Sequence, residues 1–195
     1  MILEAVTDTT RLRPNCTQQQ HGQALLFPHY AEPVARAATP AIAALLAAEV
    51  PHELVQYKHD PRTESFGEEA VEELADVEGV HPEQVFKTLV IALPKGLAVA
   101  VIPVPSKLSL KAAAASLGAS KATMADRAAA ERSTGYIIGG ISPFGQRKPL
   151  PTVVDASALH WDRVLCSAGK RGWDVVIHPQ DLIRLTNAVT ADICA

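Results

Sequence analysis

Lys87 is the residue most out of keeping with its neighbours. It stands beside Phe86 at the head of a largely apolar run, Thr88-Leu89-Val90-Ile91-Ala92-Leu93. A lysine there either snorkels to the rim of a sheet or is a placed cation that grips a phosphate or carboxyl oxygen in a cleft. Two glycine-containing turns offer partners for such a cation. Residues 134–143, with Gly139 and Gly140 before Ile141-Ser142-Pro143, set bare backbone N–H groups where a ligand oxygen can approach. Residues 167–172, Ser167-Ala168-Gly169-Lys170-Arg171-Gly172, do the same with two cations added. Each turn also reads simply as a tight connection.

Other catalytic devices are missing or malformed. No Gly-Lys-Ser/Thr phosphate loop and no GxGxxG occurs. The stretch from Gly140 to Gly145 resembles a nucleophile elbow around Ser142. It carries one residue too many, and Pro143 blocks the helix that should follow. His52 and His59 stand seven apart and no other histidine pair has helical ligand spacing, and Cys16, Cys166 and Cys194 form no CxxC, so no metal and no disulfide framework is expected.

The chain has 195 residues, enough for one domain with a sizeable core, and is 48% hydrophobic with a net charge of -3. That balance excludes a generally basic nucleic-acid binder. It also predicts weak affinity for a polyanion by charge alone, because phosphate neutralisation supplies most non-specific binding to nucleic acid. Charge is nevertheless unevenly spread. Residues 39–104 carry eleven acids against four bases (Lys58, Arg62, Lys87, Lys95), whereas residues 105–195 carry seven against eleven. A local basic face including Arg147, Lys148, Lys170 and Arg171 is therefore available for contact with phosphate groups. Apolar stretches fall far short of the roughly 20 residues that span a bilayer, and no secretory signal is apparent, so a cytoplasmic protein is expected.

The elements that must hold these residues follow from local pattern. Residues 1–38 show no sustained period and read as a poorly ordered extension; the folded domain is expected over 39–195. Thr39-Pro40 opens a helix as N-cap and first residue. Strands are expected at 53–57, 87–93, 97–104, 136–138, 152–154, 164–167 and 173–177, with 87–93 and 97–104 an antiparallel pair across Pro94-Lys95-Gly96. Helices are expected at 65–75, from His81-Pro82, at 109–117, at 126–131 and at 179–188. Mingled without a strict βαβ repeat, they give an α+β class with a mixed sheet flanked by helices.

Seven motifs, in order, carry a resemblance to a known family: Thr39-Pro40, Tyr57-x-His59-Asp60, Phe66-Gly67, Val85-Phe86-Lys87-Thr88-Leu89, Arg132-Ser133-Thr134-Gly135-Tyr136, Gly139-Gly140-Ile141-Ser142-Pro143 and Gly169-Lys170-Arg171-Gly172. The set resembles the YbaK/EbsC family, whose fold is that of the editing domain of bacterial prolyl-tRNA synthetases, and within it the free-standing Cys-tRNA(Pro) deacylases. The resemblance spans about 39–194. It implies a mixed, partly barrel-like sheet whose cleft receives the 3′ end of an aminoacyl-tRNA, with no cofactor. It further implies Lys87 and Gly139 as the catalytic positions, with Tyr57, Phe66, Thr88, Gly140, Ser167 and Asp174 binding substrate and His59 in support. Ala168 and Trp173 depart from the family pattern and are expected to narrow the cavity.

The implied reaction removes cysteine from mischarged Cys-tRNA(Pro), and from Cys-tRNA(Cys), by attack of the substrate's own thiol on its ester. Backbone N–H groups stabilise the oxyanion. Deacylation of another small amino acid, alanine or serine, and a non-catalytic module binding tRNA or a synthetase remain as alternatives. Prolyl-tRNA synthetase is the partner expected to supply tRNA identity.

Overall fold

The computed structural model describes residues 38–63, 65–74 and 79–195. The expected extension over 1–38, apart from its last residue, and the end of the second helix at Ala75 lie outside them, as does Cys16.

Among the described residues, eight strands form one mixed sheet: β1 (His52–Gln56), β2 (Val85–Leu93), β3 (Gly96–Pro103), β4 (Thr123–Met124), β5 (Thr152–Asp155), β6 (Val164–Lys170), β7 (Trp173–Ile177) and β8 (Val189–Ala191). Their order is β1-β7-β6-β2-β3-β5-β8, with β4 added beside β2. The sheet is not closed, so the partly barrel-like form remains open between β1 and β8. Among the described residues five α-helices accompany it: α1 (Pro40–Ala47), α2 (Phe66–Leu74), α3 (Leu110–Ser116), α4 (Arg127–Thr134) and α5 (Pro179–Thr186).

Local chemistry sets the helix ends. Thr39 caps α1 by accepting from Ile42 N, and its hydroxyl donates to the Ala168 carbonyl at 2.5 Å, tying α1 to β6. Ser109 and Asp126 cap α3 and α4 in the same way. Helix α4 runs past the expected stop at 131 to Thr134, where Gly135 at φ 83 ends it. Helix α5 stops at Thr186, two residues early, because Asn187 adopts φ 48. His81-Pro82 opens only one 3-10 turn, Pro82–Gln84.

The expected strand at 136–138 does not form. Its ladder groups are claimed by side chains: Tyr136 N by Thr134 Oγ1, Ile138 N by Glu131, and the Ile138 carbonyl by Arg171. A peptide whose N–H and C=O are both engaged has nothing left for a neighbouring strand.

Alternation divides the core between the two faces of the sheet. On one face, Phe86, Val90, Val99, Val101, Cys166 and Val175 pack with α1, α4 and α5 residues. On the other, the apolar surface is split in two. Val55, Val85, Leu165 and Val176 meet Ala70 and Leu74 of α2, while Ile91, Ala100 and Ile102 meet Ala113 of α3. Lys87 alternates onto this second face between Val85 and Ile91, at the seam of the two clusters.

Candidate active site

A break in the sheet makes the site. One side of β2 pairs with β3 without interruption from Phe86 to Leu93. Its other side is shared: β6 pairs in parallel at Val85 and Phe86, and β4 pairs antiparallel at Ile91 and Ala92. Between them, Lys87, Thr88 and Leu89 have no strand beside them among the described residues, and Ala125 N bonding the Val90 carbonyl closes the far end. A cleft of about 390 Å³ opens through this gap, a size that suits a small ligand. Side chains from both faces reach it: Lys87, Tyr57, Ser167 and Asp174 from one, Thr88, Ile141 and Ala130 from the other.

Lys87 Nζ donates to the Val104 carbonyl at 2.8 Å and makes no ion pair among the described residues. Desolvation at the seam pulls its pKa below the usual lysine value, and the nearby Glu68 carboxylate partly offsets this. Its remaining N–H donors are available to an incoming acceptor. Thr88 Oγ1 is buried at the wall with no hydrogen-bond partner among the described residues, a state that costs free energy until a ligand group satisfies it.

Asp174 sits opposite Ser167 in the β6–β7 ladder and lines the cleft. Burial without a compensating cation pushes its carboxyl up to about 7. Burial, with Asp174 beside it, also raises the Tyr57 phenol above its ordinary value. Phe66 begins α2, and its ring rests on Gly139, where φ is +86 and an added Cβ would lie 2.6 Å from the ring. Only glycine fits there. The Gly139 N–H has no hydrogen-bond partner among the described residues. His59 stands behind this group, its Nδ1 2.8 Å from Glu69 Oε2.

The sequence-predicted residues therefore separate into two sets. Lys87, Thr88, Tyr57, Phe66, Gly139, Ser167 and Asp174 all line the cleft. Gly140 does not: its N–H bonds the Ile137 carbonyl, and it packs on the Lys170–Arg171 backbone. Ala168 and Trp173 are also not among the residues that line the cleft; Trp173 instead lies under the Lys170 ammonium at 4.2 Å. Arg147 and Lys148 are exposed, whereas Arg171 is engaged internally with Ile138 and Phe66. Ser142 is fully buried with its hydroxyl accepting from Phe144 N, a turn and not a nucleophile. Sequence reading missed Glu68 and Met124, which also line the cleft. Glu68 is one of several acids on α2, and Met124 belongs to a two-residue strand without a pattern of its own.

Among the described residues, no group of three or more His, Cys, Asp or Glu side chains is placed to hold a metal, and no helix is long and apolar enough to cross a membrane.

In sequence and in fold the chain is similar to several known proteins. The family model described as an aminoacyl-tRNA editing domain matches residues 67–185. The chain is 38% identical over 125 residues to EbsC of Enterococcus faecalis, named as a candidate Cys-tRNA(Pro)/Cys-tRNA(Cys) deacylase, covering 64% of this chain and 76% of that protein. A crystal structure of a candidate trans-editing enzyme for prolyl-tRNA synthetase superposes with a TM-score of 0.70 at 25% identity, over 83% of this chain and 99% of the other. The hypothetical protein APE2540 has the same fold, with a TM-score of 0.70 at 24% identity, over 80% and 100% of the two chains.

Proposed function

The chain belongs to the aminoacyl-tRNA editing domain family, and from that premise we propose that it deacylates mischarged tRNA in trans, releasing cysteine from Cys-tRNA(Pro). The observation that carries the reading is that Lys87 and Gly139, whose N–H has no partner among the described residues, line one cleft at the gap beside β2. An aminoacyl ester is already activated, so polarising its carbonyl and holding it in register is sufficient. Lys87 holds the phosphate or ribose of the 3′ end. Gly139 N–H receives the negative charge that develops on the carbonyl oxygen.

Among the described residues lining the cleft, no hydroxyl is hydrogen-bonded to a base. The attacking group is assigned to the substrate. Its thiol loses a proton, for which Asp174, titrating near neutrality at the cleft wall, is the acceptor. The sulfur then bonds to the carbonyl carbon, and the bond to the ribose oxygen breaks. Cysteine leaves as a thiolactone, and the ribose oxygen takes up a proton. A thiol near pKa 8.5 is a few per cent thiolate at pH 7. A serine hydroxyl is far less acidic and proline has no such group, so reactivity supplies discrimination that pocket contacts of about 1–3 kcal/mol cannot. The net charge of -3 favours a partner for tRNA selection, and prolyl-tRNA synthetase in the cytoplasm, where the error arises, fits that need.

A panel of Cys-, Ala-, Ser- and Pro-charged tRNA(Pro), with Cys-tRNA(Cys), tests the reading. Cysteine should be released fastest, and Lys87→Ala should lower kcat/KM by about 10² or more. Faster loss of alanine or serine would replace the substrate assignment. Binding without acceleration of any ester would replace the enzyme with a recognition module.

A further inference from the structure

Arg171 lies in the turn between β6 and β7, where its charge suits a tRNA phosphate, yet its guanidinium faces inward. Its Nε and Nη2 both donate to the Ile138 carbonyl, at 3.0 and 2.8 Å. The same guanidinium stacks over the Phe66 ring, 4.5 Å from its centroid. Glu131 Oε1 accepts from Ile138 N at 3.0 Å, and Gly140 N bonds the Ile137 carbonyl at 3.0 Å. The short loop before Ile141 is thus held from both sides, with Phe66 packed between Arg171 and Gly139.

The Ile138 carbonyl and the Gly139 N–H are the two ends of one peptide group. That group is planar and trans, so its N–H points away from its C=O. Two charge-assisted bonds on the oxygen fix the plane and therefore the direction of the N–H. They also draw electron density toward the oxygen, which strengthens the N–H as a donor. We propose that Arg171 is a positioning residue that aims and strengthens the Gly139 N–H across their shared peptide, instead of a contact to tRNA phosphate. This deepens the reading above and rests on it, since it takes Gly139 N–H as the oxyanion donor. Losing such a donor outright costs about 10²–10³ in rate; losing its aim costs part of that.

The test uses the full chain carrying Arg171→Gln, which removes the charge, and Arg171→Lys, which keeps the charge but not the fork. With Cys-tRNA(Pro), kcat should fall by about 10–100-fold in Arg171→Gln and less in Arg171→Lys, while KM and its dependence on salt stay within about twofold. The Gly139 amide proton should move upfield in the NMR spectrum in the same order. A raised KM with unchanged kcat and a shallower salt dependence would make Arg171 a phosphate contact and overturn the proposal. So would a Gly139 resonance that does not move. If Arg171→Gln fails to fold, Arg171→Lys decides on the same two readouts. The NMR measurement needs no substrate, so it judges Arg171 even if wild-type protein leaves every ester intact, a result that would defeat the functional reading alone.

Discussion

Two hairpins in this protein begin from nearly the same sequence signal and end with different duties. The β2–β3 hairpin turns at Pro94-Lys95-Gly96, and β6–β7 turns at Gly169-Lys170-Arg171-Gly172. In the first, Gly96 has φ +100 and nothing within 4 Å of an added Cβ, so it solves a backbone problem only. Its ladder runs in unbroken register. In the second, a Cβ added at Gly169 would strike the Tyr136 ring, and one added at Gly172 would lie 2.7 Å from the Tyr57 carbonyl oxygen and close to the His59 side chain. Its ladder shifts register between Ser167 and Lys170. The first hairpin lends β2 to the site; the turn of the second is wedged among the elements that shape it. Glycine beside lysine marks a turn in both cases, and only the surroundings say what else the turn must do.

Substitutions at the two turns can break that contrast. Gly172→Ala should have the largest effect, about 3–4 kcal/mol lost in urea unfolding, since φ +75 strains any side chain and the Tyr57 carbonyl blocks a Cβ. The shift should displace Tyr57, whose N–H bonds the Gly172 carbonyl at 2.9 Å, and slow deacylation as well. A mild result would mean that the second turn is no more constrained than the first.

Asp174→Asn sharpens the same comparison, because β6–β7 buries a carboxyl where β2–β3 is apolar at similar depth. Burial raises the folded-state pKa to about 7, whereas an unfolded aspartate titrates near about 3.9. The folded state therefore binds the extra proton between these values. Wild-type stability from this group is full below about pH 4, falls as pH rises through 7, and is flat above. Relative to wild type, Asp174→Asn should gain about 2–4 kcal/mol between pH 4 and pH 8, read from denaturation midpoints. An unchanged difference across that range would show that the carboxyl is not buried uncompensated. Gly96→Ala should be the mildest of the three, about 1–2 kcal/mol from backbone strain alone, with deacylation unaffected.

The same contrast explains what could be read in advance. Strands β2 and β3 are apolar runs around a turn residue, so their pairing was visible in the sequence. Strands β4 and β8 have two and three residues; they exist because a partner edge is there, which no local pattern reports. The misread segment at 136–138 has strand-forming residues, but Glu131 and Arg171, the second 33 positions away from Ile138, take its peptide groups. Lys87 is conspicuous by chemistry, yet pattern alone leaves open whether it snorkels or grips, and its role is what the family resemblance implies. Arg171 was legible as a cation in a turn. Its inward aim depends on Phe66 and Ile138 arriving from two other elements, and spacing cannot encode that.

The interrupted side of β2 has a consequence for how selectivity can change. A molecule in the opening meets main-chain groups of one strand together with side chains projecting from above and below it. The strand's opposite side stays zipped to β3 throughout, so exchanging a lining side chain alters what is admitted while the scaffold keeps its shape. Diversification at such a window needs no new architecture, only new fittings in the frame.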